Sequence, residues 1–198
     1  APIEVMLIIL AVVTCASILE AAGGLKFMLQ VAEKILRKNP KQITFLGPIA
    51  TYTLTLMLGT GHAVYSIMPI IGDIALKNKI RPERPMAAAS VASQLALTAS
   101  PISAVVTVYL GKGLLDLFHQ QGGESLTLIN ILSVTLPATF LGLMAMCFYS
   151  LRRGKELEAD PEYQRRLQDP IYRDQILNST KTTLNDFIPQ SSKNAVYI

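Results

Sequence analysis

Two interruptions in apolar sequence hold the residues most able to bind a ligand. The first is Gly59-Thr60-Gly61-His62. The second gathers Thr98, Ser100, Pro101 and Ser103. No Arg or Lys lies within the flanking apolar stretches. An anion bound here must therefore be held by hydroxyls, peptide N–H groups and helix N-termini. Each N-terminus carries roughly half a positive charge. A helix starting at Ala63 and another starting at Ile102 would present two such termini, one for each end of a dicarboxylate. Pro101 suits the first turn of the second helix, where its missing N–H is harmless. Gly59 and Gly61 permit turn dihedrals and close approach. His62 could donate to a carboxylate or carry a coupling proton. It could equally bond within the fold or face water. The same residues also suit a flexible kink packed by small side chains, since Gly and Pro are common in membrane helices. Gln94, Ser90 and Ser93 read as polar glue between helices.

These residues need helices that end and restart inside a membrane. Half the residues are hydrophobic and mean hydropathy is positive, which is high for a soluble domain. Residues 5–22 are long enough for one span, with Glu20 near its boundary, where a carboxylate reaches water more readily than it serves an ion. Residues 26–41 form an amphipathic helix with Phe27, Met28, Val31, Ile35 and Leu36 at helical spacing, ended by Asn39-Pro40. Residues 43–58 and 62–76 are each short for a crossing. They predict a re-entrant or broken hairpin, with two short spans as the alternative. Residues 86–118 predict a discontinuous helix, rich in Ala and Ser where it packs against protein. They turn amphipathic through Lys112 and Asp116, before a polar turn at 120–125. Residues 126–151 are the clearest span, with Pro137 inside.

Charge gives sidedness. Lys26, Lys34, Arg37, Lys38, Lys41, Lys77, Lys79, Arg81 and Arg84 occupy the two loops flanking the hairpin, and Arg152-Arg153 follows the last span. The positive-inside rule places them all in the cytoplasm. No aromatic–basic interleaving accompanies them, so the basic balance does not imply nucleic acid. Cys15 and Cys147 read as small buried hydrophobes with no disulfide or metal spacing. The expected fold is all-α and polytopic: a transmembrane region over 1–151, then a hydrophilic cytoplasmic loop over 152–198. That loop reads as a solvated connector without chemistry. Its last residues turn apolar, as if opening a further span, so the chain reads as an internal fragment.

EAAGGLKFMLQVAEKILRKNPK (20–41) and TYTLTLMLGTGHAVYSIMPIIGDIALKNKIRPERPMAAASVASQLALTASPIS (51–103) resemble the anaerobic C4-dicarboxylate transporter family, Dcu. The resemblance runs from near residue 3 to about residue 176. The GTGH form resembles the branch associated with fumarate respiration and a dicarboxylate-sensing kinase. The resemblance implies a multi-pass carrier of the bacterial inner membrane, not an enzyme. It exchanges fumarate for succinate and also takes malate and aspartate, with no cofactor or metal. Members are more than twice this long. The remainder of the polypeptide is expected to supply an inverted repeat and the other side of the substrate site. The residues by themselves leave two alternatives open: a regulatory partner docking a sensor kinase through 86–151 or the tail, and a carrier of another anion.

Overall fold

The computed structural model describes residues 3–110, 119–120, 127–178 and 182–197. The amphipathic stretch through Lys112 and Asp116 and the turn at 121–125 lie outside the described residues. Within them the chain is helical and has no strand.

Helix α1, Ile3–Ala21, leads through Gly23 into α2, Gly24–Lys38, with a bend of 69°. Gly23 takes φ 79°, a left-handed conformation that glycine adopts without cost. The amphipathic helix divides its apolar residues between two faces. Met28, Leu29, Ala32 and Leu36 are buried, whereas Val31 and Ile35 are exposed. The reason is packing: one face of α2 meets α4, and the other lines an open groove beside α3. A 3-10 turn, Pro40–Gln42, follows Asn39.

The central unit is a helical hairpin. Helix α3, Ile43–Leu58, ends at Gly59, and α4, Ala63–Lys77, restarts after the GTGH tip. At 16 and 15 residues they rise about 24 and 22 Å, short of a hydrocarbon core of roughly 30 Å. Helix α5, Glu83–Ala99, lies against α3 and α4 and carries α7, Leu128–Leu151, on its other side. Ala88, Ala89, Ala92, Ser93, Ala96 and Ala99 are fully buried along α5. Side chains this small let the backbones approach closely, as the composition predicts. Helix α6, Ala104–Tyr109, continues α5 beyond the second interruption, and the pair is apolar enough over Glu83–Tyr109 to cross a membrane. So is α7. Its 24 residues rise about 36 Å and expose Ile129, Val134, Leu141 and Phe148 along their length.

Two apolar clusters hold these pieces. One joins α2, α3 and α4 through Leu36, Ile43, Ile67 and Ile71. The other joins α3, α5 and α7 through Tyr52, Ala92, Ala96, Leu143 and Cys147. In the second, the Tyr52 hydroxyl lies 2.8 Å from Thr139 Oγ1. Thr139 is 2.7 Å from the Thr135 carbonyl oxygen and donates its single proton there, so Tyr52 donates to Thr139. Cys147 is buried as expected, but Cys15 is exposed, because α1 packs on its neighbours over part of its surface only.

The hydrophilic segment after α7 does not hang free. It contains a 3-10 turn, Leu157–Ala159, and helices α8, Pro161–Leu167, α9, Pro170–Asn178, and α10, Gln190–Tyr197. Arg84, buried at the start of α5, donates to the carbonyls of Arg153 (2.8 Å) and Gly154 (2.9 Å) and to Glu156 (2.9 Å). Further along, the fully buried Glu33 on α2 accepts from the Thr183 amide and the Thr183 hydroxyl, each at 2.7 Å. A solvated connector would have neither clasp. Buried charged partners from α2 and α5 recruit it.

Candidate functional site

Helix α3 ends because Gly59 turns left-handed, at φ 67°, and donates its N–H to Thr55 O at 2.8 Å. The next three amides, of Thr60, Gly61 and His62, find no acceptor among the described residues. Helix α4 then begins at Ala63, as the sequence predicts, with no side chain capping it. The GTGH tip is therefore a cluster of bare N–H groups at the N-terminus of a 15-residue helix. Thr60 has no hydrogen-bond partner among the described residues, and His62 is exposed, its ring 6.3 Å from that of Tyr65.

The second interruption is built differently from expectation. Ser100 is extended at φ −83°, ψ 124°, as a residue before proline should be. Pro101, however, does not open the next helix. It lies exposed in a turn, and α6 starts at Ala104 with Ser103 as its N-cap. Ser103 Oγ donates to Leu97 O at 2.6 Å and accepts from the Val106 amide at 3.2 Å. One side chain thus ties the end of α5 to the start of α6. Thr98 donates to Leu95 O at 2.8 Å, and Ser100 donates to Leu56 O at 2.7 Å. The three hydroxyl protons counted as ligand donors are thereby given to carbonyls. With only six residues, α6 also contributes a much smaller dipole than α4.

The two interruptions are neighbours in space. A Cβ on Gly59 would stand 2.8 Å from the Ile102 carbonyl oxygen. Built on Gly61, it would stand 3.5 Å from Gln94 Nε2 and 3.7 Å from Ser93 Oγ. Tip and break therefore form one locus, floored by α5. The donors left over are the amides of 60–62, the Thr60 hydroxyl and the His62 ring. Sequence reasoning missed Thr55, one turn before Gly59. It is fully buried and its hydroxyl has no partner among the described residues, whereas Thr51 and Thr53 both bond back to the carbonyl four residues earlier. A threonine at the turn preceding a glycine cap is the only signal it offers.

A cavity of about 390 Å³ adjoins this locus, between α1 and the break, lined by Ala11, Val12, Cys15, Leu58, Ile102 and Thr107. Its walls are apolar and suit no dianion. A larger cavity of about 850 Å³ lies away from the breaks, at the end of α7. Among the described residues no group of His, Cys, Asp and Glu could hold a metal.

The sequence model for anaerobic C4-dicarboxylate membrane transporters matches residues 1–198, extending the resemblance to the whole chain. The chain is 44% identical, over its full length, to the anaerobic C4-dicarboxylate transporter DcuB of Escherichia coli O6:H1, and covers 44% of that protein. It is 42% identical to the C4-dicarboxylate transporter DcuA of Helicobacter pylori over 84% of the chain and 36% of the relative. To DcuA of Wolinella succinogenes it is 40% identical over 84% of the chain and 36% of the relative. The chain thus spans less than half the length of the curated relatives it matches. No solved structure matches it.

Proposed function

This chain belongs to the anaerobic C4-dicarboxylate membrane transporter family, and we propose that it forms one side of that carrier's substrate path. The transported solutes are C4-dicarboxylates: fumarate and succinate in exchange, with malate and aspartate. The membrane is the bacterial inner membrane, with the basic loops on the cytoplasmic side. The ligand sits at the locus formed by Gly59, Thr60, Gly61 and His62 with Thr98, Ser100, Pro101 and Ser103. The second group frames the break and the first supplies the donors.

One observation carries this reading. Amides without acceptors cluster at a helix N-terminus, beside a second interruption, in apolar sequence with no fixed cation. Bare amides and a helix dipole are a sufficient anion site in such a setting. Each carboxylate of a dicarboxylate needs such donors, and this chain offers one well-formed set. The rest of the polypeptide supplies the other. The α3–α4 hairpin is re-entrant, because both of its helices are short and its tip is held against α5. Alternating access moves the hairpin and α5 against α1 and α7.

Counterflow tests this in liposomes loaded with the full-length protein. Unlabelled internal fumarate should drive accumulation of labelled external succinate. No stimulation by fumarate, or equal stimulation by citrate, would overturn the dicarboxylate assignment.

A further inference from the structure

The end of α7 carries more positive charge than the fold consumes. Arg84 is fully engaged by the carbonyls of Arg153 and Gly154 and by Glu156. Arg81 pairs with Glu83 at 3.3 Å and Asp160 at 3.0 Å, and Lys79 pairs with Glu158. Arg152, Arg153 and Lys155 remain without a carboxylate partner among the described residues, and all three are exposed. Arg153 stands over the Tyr149 ring, 5.9 Å from its centroid, which fixes one of these charges beside an aromatic wall.

Two adjoining cavities meet at Tyr149, Arg153 and Gly154. The smaller, about 410 Å³, lies in the seam between the start of α5 and the end of α7, where Ala87 and Met146 supply apolar wall. The larger, about 850 Å³, adds Arg152 together with Phe148 and Leu151. Cationic floor and apolar wall therefore share one recess. It sits just beyond a predominantly apolar helix of 24 residues whose outer face is exposed. That helix rises about 36 Å against a hydrocarbon core of roughly 30 Å, which puts its arginine end at headgroup depth.

We infer that this seam binds an anionic phospholipid. Arg152 and Arg153 take the phosphate oxygens, Tyr149 lies beside the glycerol, and an acyl chain runs past Met146, one turn back from Tyr149 on the same face of α7. Free phosphate would use the arginines and leave the apolar wall bare. A zwitterionic lipid would bring its own cation to a site already in positive excess. The inference rests on α7 crossing a bilayer and is independent of what the carrier transports.

The test is titration of the purified full-length protein in detergent with fluorescent phosphatidylglycerol and, separately, fluorescent phosphatidylcholine. Phosphatidylglycerol should bind more tightly. The Arg152→Gln/Arg153→Gln variant should weaken it about thirty-fold, as expected for two basic residues at an anionic headgroup. Arg165→Gln/Arg166→Gln on α8, whose charges already face Glu162, should bind as the parent does. Arg84 holds the fold through main-chain carbonyls, so replacing the 152–153 side chains leaves its bonds in place. Should the double variant still lose its fold, Tyr149→Leu supplies the second measurement, with the same direction expected. Three outcomes overturn the inference: unchanged affinity in the variant that folds, equal affinity for the two lipids, or full displacement of phosphatidylglycerol by millimolar inorganic phosphate.

Discussion

Ser100 donates its hydroxyl to the main-chain oxygen of Leu56 across 44 positions of sequence, at 2.7 Å. That bond fastens the break after α5 to the last turn of α3, just ahead of the GTGH tip. It turns two local defects in apolar helices into one structure. It also separates two kinds of residue at the locus: those that hold it together and those left free to meet a ligand.

Ser100→Ala leaves the Leu56 carbonyl without its partner beside a buried residue. An orphaned buried acceptor costs about 1–3 kcal/mol. The full-length variant should unfold at lower temperature in detergent and lose succinate uptake with it. Thr60→Val removes a hydroxyl without a partner among the described residues, so melting temperature and membrane abundance should hold while uptake falls. Thermal melting beside uptake separates the two. A melting loss in Thr60→Val, or none in Ser100→Ala, contradicts the division.

Gly59 and Gly61 should behave differently toward alanine. At Gly59 the backbone is left-handed and a Cβ would meet Ile102 O at 2.8 Å, so both conformation and space oppose it. The conformation alone costs about 1–2 kcal/mol. At Gly61 a Cβ meets nothing nearer than 3.5 Å. Gly59→Ala should therefore reduce yield and melting temperature, and Gly61→Ala should leave both near the parent.

Thr55→Val exchanges a buried hydroxyl, without a partner among the described residues, for a methyl of similar size. Removing an unsatisfied polar group should hold or raise the melting temperature. Uptake that falls in this stable variant would show that the hydroxyl meets the substrate. Uptake that persists would leave Thr55 a packing residue.

The Glu33 clasp sets a pH dependence for the tail. Burial works against the charged carboxyl. Hydrogen bonds from Thr182, Thr183 and Arg37 more than offset it and hold Glu33 below its ordinary value of 4.5. A carboxyl depressed in the folded state gives stability that is fully present above 4.5 and is lost as pH falls through its folded value. Amide protection factors over residues 182–197, corrected for the intrinsic exchange rate at each pH, should be high at neutral pH and fall in acid. In Glu33→Gln they should already be low at neutral pH, with little acid dependence.

Local pattern was enough to specify the two hairpin helices and their ends. The hairpin helices run Ile43–Leu58 and Ala63–Lys77, against expected limits of 43–58 and 62–76, because a glycine tip and an amphipathic close are signals contained within a few residues. The small-residue face of α5, the break at Ser100 and the family were legible for the same reason. The start of α6 was not. Pro101 could stand in the first turn of a helix or before its cap, and Ser103 reaching back to Leu97 O decided for the cap.

What the sequence determined by itself was where α3 stops and α4 restarts and where α5 breaks, since that follows from residue type and short-range geometry. Only the tertiary structure decided which donors remain. Ser100 finds Leu56 across 44 residues, and Thr183 finds Glu33 across 150. A hydroxyl's partner at such separation is fixed by how helices pack, and no local pattern encodes it.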